Sequence, residues 1–176
     1  MKKTPPAGSR SAAPRKRIRL ERFYRAELRD VWDLWTTKEG IESWWGPGGF
    51  AVTVRTLDLR PGGELRYAMT AVDPPQVAFM KKAGMPTTQE LHITFTDVVP
   101  FRRLEYLHAA DFIPRTEPYD IATLVELEET PEGVRLVLTF DAMHNEEWTE
   151  RAVMGWEGEL GQLAAVLEAR LAGQQS

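Results

Sequence analysis

Hydrophobic and polar residues follow two different periods in the first part of the chain, and each change of period marks an element boundary. Residues 18–26 alternate and predict a strand, although Arg22 interrupts its apolar face. Apolar side chains at offsets of three, four and seven over residues 27–36 predict a helix. A second short helix is expected over 36–45, because Gly46-Pro47 ends it.

The middle of the chain is dominated by period-two alternation, which predicts strands joined by short turns. Residues 73–88 interrupt this pattern with prolines and a glycine, and they enclose a short apolar run at 76–84 that predicts two turns of helix. Sharp turn signals such as Pro61-Gly62-Gly63 favour antiparallel neighbours. Six strands are predicted here, over residues 50–59, 64–72, 90–98, 102–112, 119–129 and 133–140.

A long amphipathic helix is predicted at the end of the chain. Asn145 is its expected N-cap. Gly155, Gly158 and Gly161 are unusual inside a helix, and we expect them to permit a bend or a close backbone approach near Trp156. The apolar stripe of this helix contains Trp148, Trp156, Leu160, Leu163, Leu167 and Leu171.

The order of these elements predicts an α+β fold. A curved antiparallel sheet of six to seven strands is expected to wrap around the long C-terminal helix. The two short helices after the first strand would close one end. A cavity is expected between sheet and helix, because one helix cannot fill the trough of so wide a sheet.

The length and the charge distribution predict a short basic leader followed by one acidic domain. The 176 residues are 43% hydrophobic, and residues 18–172 suit a single domain. Residues 1–17 carry six of the 22 Lys and Arg residues and no acid, which predicts a disordered basic leader or, alternatively, a nucleic-acid arm. The remaining chain then has 16 basic and 26 acidic side chains, a net charge of −10 that disfavours a nucleic-acid partner.

The absence of cysteine and of long apolar runs bears on the cellular compartment of the protein. Without cysteine there are no disulfides or thiol nucleophiles, which fits a reducing cytoplasm. No apolar stretch approaches the ~18 residues of a membrane span. Cytoplasmic localisation is therefore expected.

Three segments of the chain resemble a known family. They read VWDLWTTKEGIESWWGP, LDLRPGGELRYAM and MGWEGELGQLAAVL. This sequence resembles the activator of Hsp90 ATPase homologue 1-like (AHSA1-like) family of the START/Bet v 1-like (SRPBCC) superfamily, over about residues 18–171. The resemblance implies a helix-grip fold that holds a hydrophobic small molecule between sheet and helix. The apolar insertion at 74–88 and the glycines around Trp156 depart from the family pattern.

Aromatic and methionine side chains are the candidates for lining such a cavity. Methionine adapts its shape to irregular contents, and aromatic rings bury a large area. Ordinary core packing is the alternative, and we expect about half of the set to be packed solid. The set is Trp45, Phe50, Tyr67, Met69, Phe79, Met80, Phe95, Tyr106, Phe112, Met143, Trp148 and Trp156, together with the polar His108.

His108 and Tyr106 are weak candidates for catalysis. They share one face of a predicted strand, so both would stand on the cavity wall. The alternative is a histidine at a strand end that contacts only backbone or solvent. No histidine pair has metal-ligand spacing, and no nucleophile or phosphate-binding motif occurs, so we expect no metal and no cofactor.

Three functions remain open from the sequence. The first is a binding protein for a hydrophobic or aromatic small molecule. The second is a protein-interaction module associated with a chaperone or regulator, and the third is a cofactor-free cyclase- or lyase-like enzyme. A homodimer is permitted by the edge strands.

The adjacent residues Trp44 and Trp45 cannot point the same way, because neighbouring helical positions lie ~100° apart. We expect one of them to anchor the short helices to the core. The other is expected to border the cavity entrance.

Overall fold

The computed structural model describes residues 15–175. Most of the predicted leader therefore lies outside the described residues. Residues 15–17, which we assigned to the leader, take part in the fold: the Arg15 guanidinium donates to the backbone carbonyl of Asp120 at 2.9 Å, and the first strand begins at Arg17.

Residues 15–175 form seven strands and four helices in the order expected, with the third helix in the insertion. The strands are β1 (Arg17–Tyr24), β2 (Phe50–Leu57), β3 (Glu64–Ala71), β4 (Thr88–Val99), β5 (Arg103–Ala110), β6 (Tyr119–Thr130) and β7 (Gly133–Asp141). The helices are α1 (Leu28–Thr36), α2 (Lys38–Trp44), α3 (Pro74–Lys82) and α4 (Glu146–Gln174).

All seven strands form one antiparallel sheet in the order β1-β7-β6-β5-β4-β3-β2. Strands β2 to β7 form a meander, and β1 pairs with β7 along its whole length. The register shifts between Val54 and Thr56 and between Phe95 and Asp97. Such bulges increase local twist and bend a strand, which helps the sheet curve around a helix. The predicted α+β fold is confirmed.

Helix α4 packs its apolar stripe into the core against the inner face of the sheet. Leu160, Leu163 and Leu167 are buried in the same cluster as Leu136 and Leu138 of β7. The side chain of Asn145 accepts a hydrogen bond from the backbone N–H of Trp148 at 2.9 Å, which confirms the predicted N-cap.

The glycines of α4 do not serve the close approach that we expected. A Cβ atom added at Gly155, Gly158 or Gly161 would meet nothing within 4 Å. That part of the prediction is wrong, because all three positions face open space. The helix is continuous through them.

Helices α1 and α2 close one end of the sheet through tryptophan packing. Trp35 is 1% exposed, and its ring centroid lies 4.6 Å from that of Trp44. The Trp44 indole N–H donates to the backbone carbonyl of Leu34 at 2.8 Å, so it ties α2 to α1. Trp44 is therefore the predicted anchor.

Helix α3 confirms the short helix expected in the insertion. Met80 is buried beneath it, whereas Phe79 is 63% exposed.

Across residues 15–175, no helix is long and apolar enough to cross a membrane.

Candidate functional site: a pocket between the sheet and the C-terminal helix

A pocket of about 320 Å³ lies between the inner face of the sheet and α4. This volume is at the lower end of the range for small-molecule sites. Its walls come from β3 to β7, from α4 and from the α2–β2 connection. Pro47, Phe112 and Gly155 are lining residues that are themselves exposed, so they border its open side.

Two other concavities lie at the surface of the described chain. The larger has about 750 Å³ between α4 and the edge at Ile18, and the other has about 680 Å³ near Phe101. The second is lined by paired charges such as Arg135 and Glu128. The pocket beside α4 combines aromatic and aliphatic walls with a few polar groups from separate elements, so it is the better candidate site.

Most of the side chains predicted to line a cavity meet in this pocket. They come from separate segments because the sheet places alternate residues of each strand on its inner face. The predicted residues that line it are Trp45, Tyr67, Met69, Tyr106, His108, Phe112, Met143 and Trp156.

Five predicted lining residues lie elsewhere, so this part of the prediction is corrected. Phe95 and Met80 are packed solid in the interior, at 1% and 3% exposure. Phe79 points away from the body of the protein, and Phe50 is partly buried at the start of β2. Trp148 packs against Phe112, with ring centroids 6.0 Å apart, and does not itself line the pocket.

Several lining residues were missed by the sequence analysis. Ile93, Ile121 and Phe140 are apolar inner-face positions of β4, β6 and β7, which alternation alone does not distinguish from the packed core. The most consequential omission is Glu159 of α4. It lies three residues after Trp156 and four before Leu163, and this spacing would have indicated that it shares the apolar face.

Glu159 is a partly buried carboxyl group in an apolar setting. Burial raises the pKa of Glu159 from its ordinary value to about 7, and a backbone hydrogen bond from Gly46 opposes that rise only in part. The Gln162 side chain donates to the Gly46 carbonyl at 2.8 Å. Gln162 of α4 thus holds the carbonyl of Gly46, whose φ of 91° suits glycine.

Two tyrosines face the same space as Glu159. Burial raises the pKa of Tyr67 and raises that of Tyr106 further, and the Glu159 charge contributes to both. The Trp45 side chain lies close enough to Tyr67 to oppose the rise of its pKa in part. Both phenols are therefore neutral hydrogen-bonding groups near neutral pH.

The Tyr106 hydroxyl is buried without a well-formed hydrogen bond. Thr123 lies opposite Tyr106 on β6, close enough for its hydroxyl to lower the Tyr106 pKa slightly. Neither hydroxyl has a partner of good geometry among residues 15–175. A buried hydroxyl without a hydrogen-bond partner lowers the stability of the fold. This wall of the pocket therefore has hydrogen-bonding capacity that the protein does not use.

His108 lies two residues after Tyr106 on β5 and also lines the pocket. Burial lowers the pKa of His108, while Asp120 and Asp111 oppose that change. The imidazole is accordingly neutral near pH 7. The two weak catalytic candidates share one wall, and their catalytic role remains a prediction.

Trp45 takes the second role expected for the tryptophan pair. It follows α2, lines the pocket beside Pro47 and lies with its ring centroid 6.0 Å from that of Tyr106. The division between a buried anchor at Trp44 and a pocket-bordering ring at Trp45 is confirmed.

Among the described residues, no group of three or more His, Asp or Glu side chains is arranged to hold a metal ion.

A seven-stranded antiparallel sheet that wraps a C-terminal helix, with a pocket between them, defines the helix-grip class of proteins. The sequence profile of the family described as "Activator of Hsp90 ATPase homolog 1-like protein" matches residues 25–168. The chain belongs to this family.

Solved structures of bacterial proteins share the fold. Protein CV1439 from Chromobacterium violaceum is 24% identical with a TM-score of 0.69, over 86% of this chain and 96% of that one. The AHSA1-like protein from Aeromonas hydrophila is 25% identical with a TM-score of 0.66, over 88% and 94%. A protein from Arthrobacter aurescens is 24% identical with a TM-score of 0.68, over 87% and 86%. No curated protein matches the chain.

Proposed function

We propose that this protein binds a small, mainly apolar molecule in the pocket between the sheet and α4. The observation that carries the proposal is the pocket itself: about 320 Å³ lined mostly by aromatic and aliphatic side chains with a few convergent polar groups. Such a combination is typical of small-molecule sites. Apolar burial supplies the affinity, and the polar groups fix the orientation.

The polar groups stand on opposite walls of the pocket. Glu159 projects from α4, while Tyr67, Tyr106 and His108 project from β3 and β5. A ligand between them satisfies groups that the protein leaves short of partners. The proposal needs no metal or cofactor, and it is compatible with a cytoplasmic protein that acts as a monomer or a homodimer.

A glycine on the pocket wall gives a sharp test. Gly155 lines the pocket and has no atom within 4 Å of an added Cβ, so Gly155→Leu puts a side chain into the space without an initial clash. We expect this variant to weaken binding of the neutral probe 2-(1-naphthyl)ethanol by about tenfold, since overfilled sites cost ~1–3 kcal/mol. Isothermal titration calorimetry measures the affinity.

Gly158→Leu is the matched control. Gly158 has the same open surroundings one helical turn later and does not line the pocket, and both changes raise helix propensity equally. The control variant should bind the probe like the wild type. Equal binding by both leucine variants, or no binding by the wild type to any apolar probe, contradicts the proposal.

A protein-interaction module is the second candidate function. The observation that favours it is a set of exposed apolar side chains around α3: Val72 is 57% exposed, Phe79 63% and Met85 44%. Exposed apolar clusters of this kind occur at protein contacts. Co-purification of one stable partner by the wild type, and its loss in Phe79→Ser with Gly155→Leu unaffected, would favour this function.

A further inference from the structure

The pocket has an unbalanced set of charges. Glu159 is its only acidic side chain, and no lysine or arginine of the described chain lines it. The Gly46 backbone near the carboxylate lowers its pKa slightly but supplies no positive charge. An ionised carboxylate in apolar surroundings is costly unless a cation pairs with it.

The walls around this carboxylate are aromatic. The Trp45 ring lies 6.3 Å from the Tyr67 ring and 6.0 Å from the Tyr106 ring, measured between centroids. Trp156 continues the aromatic wall on α4 and stacks on Trp35 at 6.3 Å. The faces of such rings carry negative electrostatic potential and attract cations, with tryptophan the strongest.

Two independent features of the pocket therefore favour the same ligand chemistry. We propose that the pocket selects an organic cation, in which an ammonium group pairs with the Glu159 carboxylate while its apolar body packs against Trp45, Tyr67 and Trp156. This inference rests on the proposed function and specifies the ligand class that the pocket takes.

The Glu159 carboxylate is positioned to accept hydrogen bonds from an ammonium group. The Gly46 carbonyl accepts a hydrogen bond from Gln162, and the Gly46 backbone lies close enough to Glu159 to lower its pKa slightly. The lone pairs of the carboxylate are available to donors on a ligand. An ammonium group brings both the donors and the missing charge.

The other groups that face the pocket do not compete with this charge. Tyr67 of β3 and Tyr106 of β5 stay neutral because burial raises the pKa of each. His108 of β5 stays neutral at pH 7 because burial lowers its pKa. The α2–β2 connection contributes Trp45, Gly46 and Pro47, none of which titrates.

Three naphthalene probes of similar size and different charge test the inference on the full chain. They are 2-(1-naphthyl)ethylamine, 2-(1-naphthyl)ethanol and 1-naphthylacetate, titrated by calorimetry at pH 8. We expect the amine to bind about tenfold more tightly than the alcohol, since a bond to a charged partner exceeds a neutral one. The carboxylate probe should bind most weakly.

Glu159→Gln removes the charge and keeps the shape. In this variant the ratio of amine to alcohol affinity should fall to about one, because only the Coulombic contribution is lost. Binding of the alcohol should persist, which shows that the variant is folded and the pocket intact. Glu168→Gln, on the exposed side of α4, should leave the amine preference unchanged.

The amine preference should also depend on pH. Burial places the pKa of Glu159 at about 7, so the advantage of the amine should grow between pH 5.5 and 8.5 while alcohol binding stays constant. An alkylammonium remains protonated over this range.

The outcomes separate the two proposals. Equal affinities for amine and alcohol in the wild type overturn the inference and leave the proposed function standing. So does an amine preference that survives in Glu159→Gln, or tightest binding of 1-naphthylacetate. Failure of all three probes to bind overturns both.

Discussion

Replacing Glu159 by glutamine should stabilise the protein at alkaline pH and leave it unchanged in acid. Burial raises the pKa of Glu159 from 4.5 to about 7. The folded chain therefore holds the proton more tightly than the unfolded chain. Glutamine keeps the size of the side chain and a carbonyl oxygen, but it does not ionise over this pH range.

The sign and size of the effect follow from proton linkage. Below pH 4.5 the carboxyl is protonated in both states, and ionisation costs nothing. Between pH 4.5 and about 7 the unfolded chain ionises first, so the free energy of unfolding falls at about 1.4 kcal/mol per pH unit. Above pH 7 the loss is complete and amounts to ~3 kcal/mol.

Urea denaturation from pH 4.5 to 8.5 measures this effect as the difference between variant and wild type. The Glu159→Gln variant should match the wild type near pH 4.5 and exceed it by ~3 kcal/mol at pH 8. Glu168→Gln is the control, since Glu168 is exposed on the same helix. A difference that does not change with pH, or a variant less stable than the wild type at pH 8, would refute the argument.

Two further predictions concern helix stability. Asn145→Ala loses the cap to the Trp148 N–H and should lower the free energy of unfolding by ~1 kcal/mol, with Asn145→Asp close to wild type; a neutral alanine variant would contradict the cap. Gly161→Ala should raise it by ~1 kcal/mol because its added Cβ meets nothing, whereas Gly40→Ala should lower it because its Cβ would clash with the Asp33 carbonyl. Thermal and urea denaturation measure both, and a destabilised Gly161→Ala would count against the open surroundings.

The fold was predictable because local patterns decide most of it. Alternation at Leu91, Ile93 and Phe95 specifies a strand and its inner face, and turn signals such as Pro61-Gly62-Gly63 join neighbours in sequence. The spacing of Leu160, Leu163 and Leu167 specifies the face that α4 buries. These are short-range features, so they can be read from the sequence without knowledge of the tertiary contacts.

The site was only half predictable because a pocket is a property of distant packing. Phe95 and Tyr106 lie on the inner faces of neighbouring strands, yet only Tyr106 lines the pocket. Phe79 and Met80 are adjacent on α3, and only the contacts of that helix decide which is exposed. Glu159 was not predicted to line the pocket because a charged residue in a helix is usually solvated. The burial of Glu159 depends on how the α2–β2 connection crosses α4.

The indole N–H signals of the six tryptophans test the central claim most directly. A ¹H–¹⁵N spectrum is recorded while 2-(1-naphthyl)ethanol is added to the full chain. If the pocket holds the ligand, the signals of Trp45 and Trp156 should shift most, since both rings line it, and that of Trp32 on α1 should shift least. Largest shifts at Trp32 or Trp148, or no shift at Trp45 and Trp156 at saturation, would contradict the account.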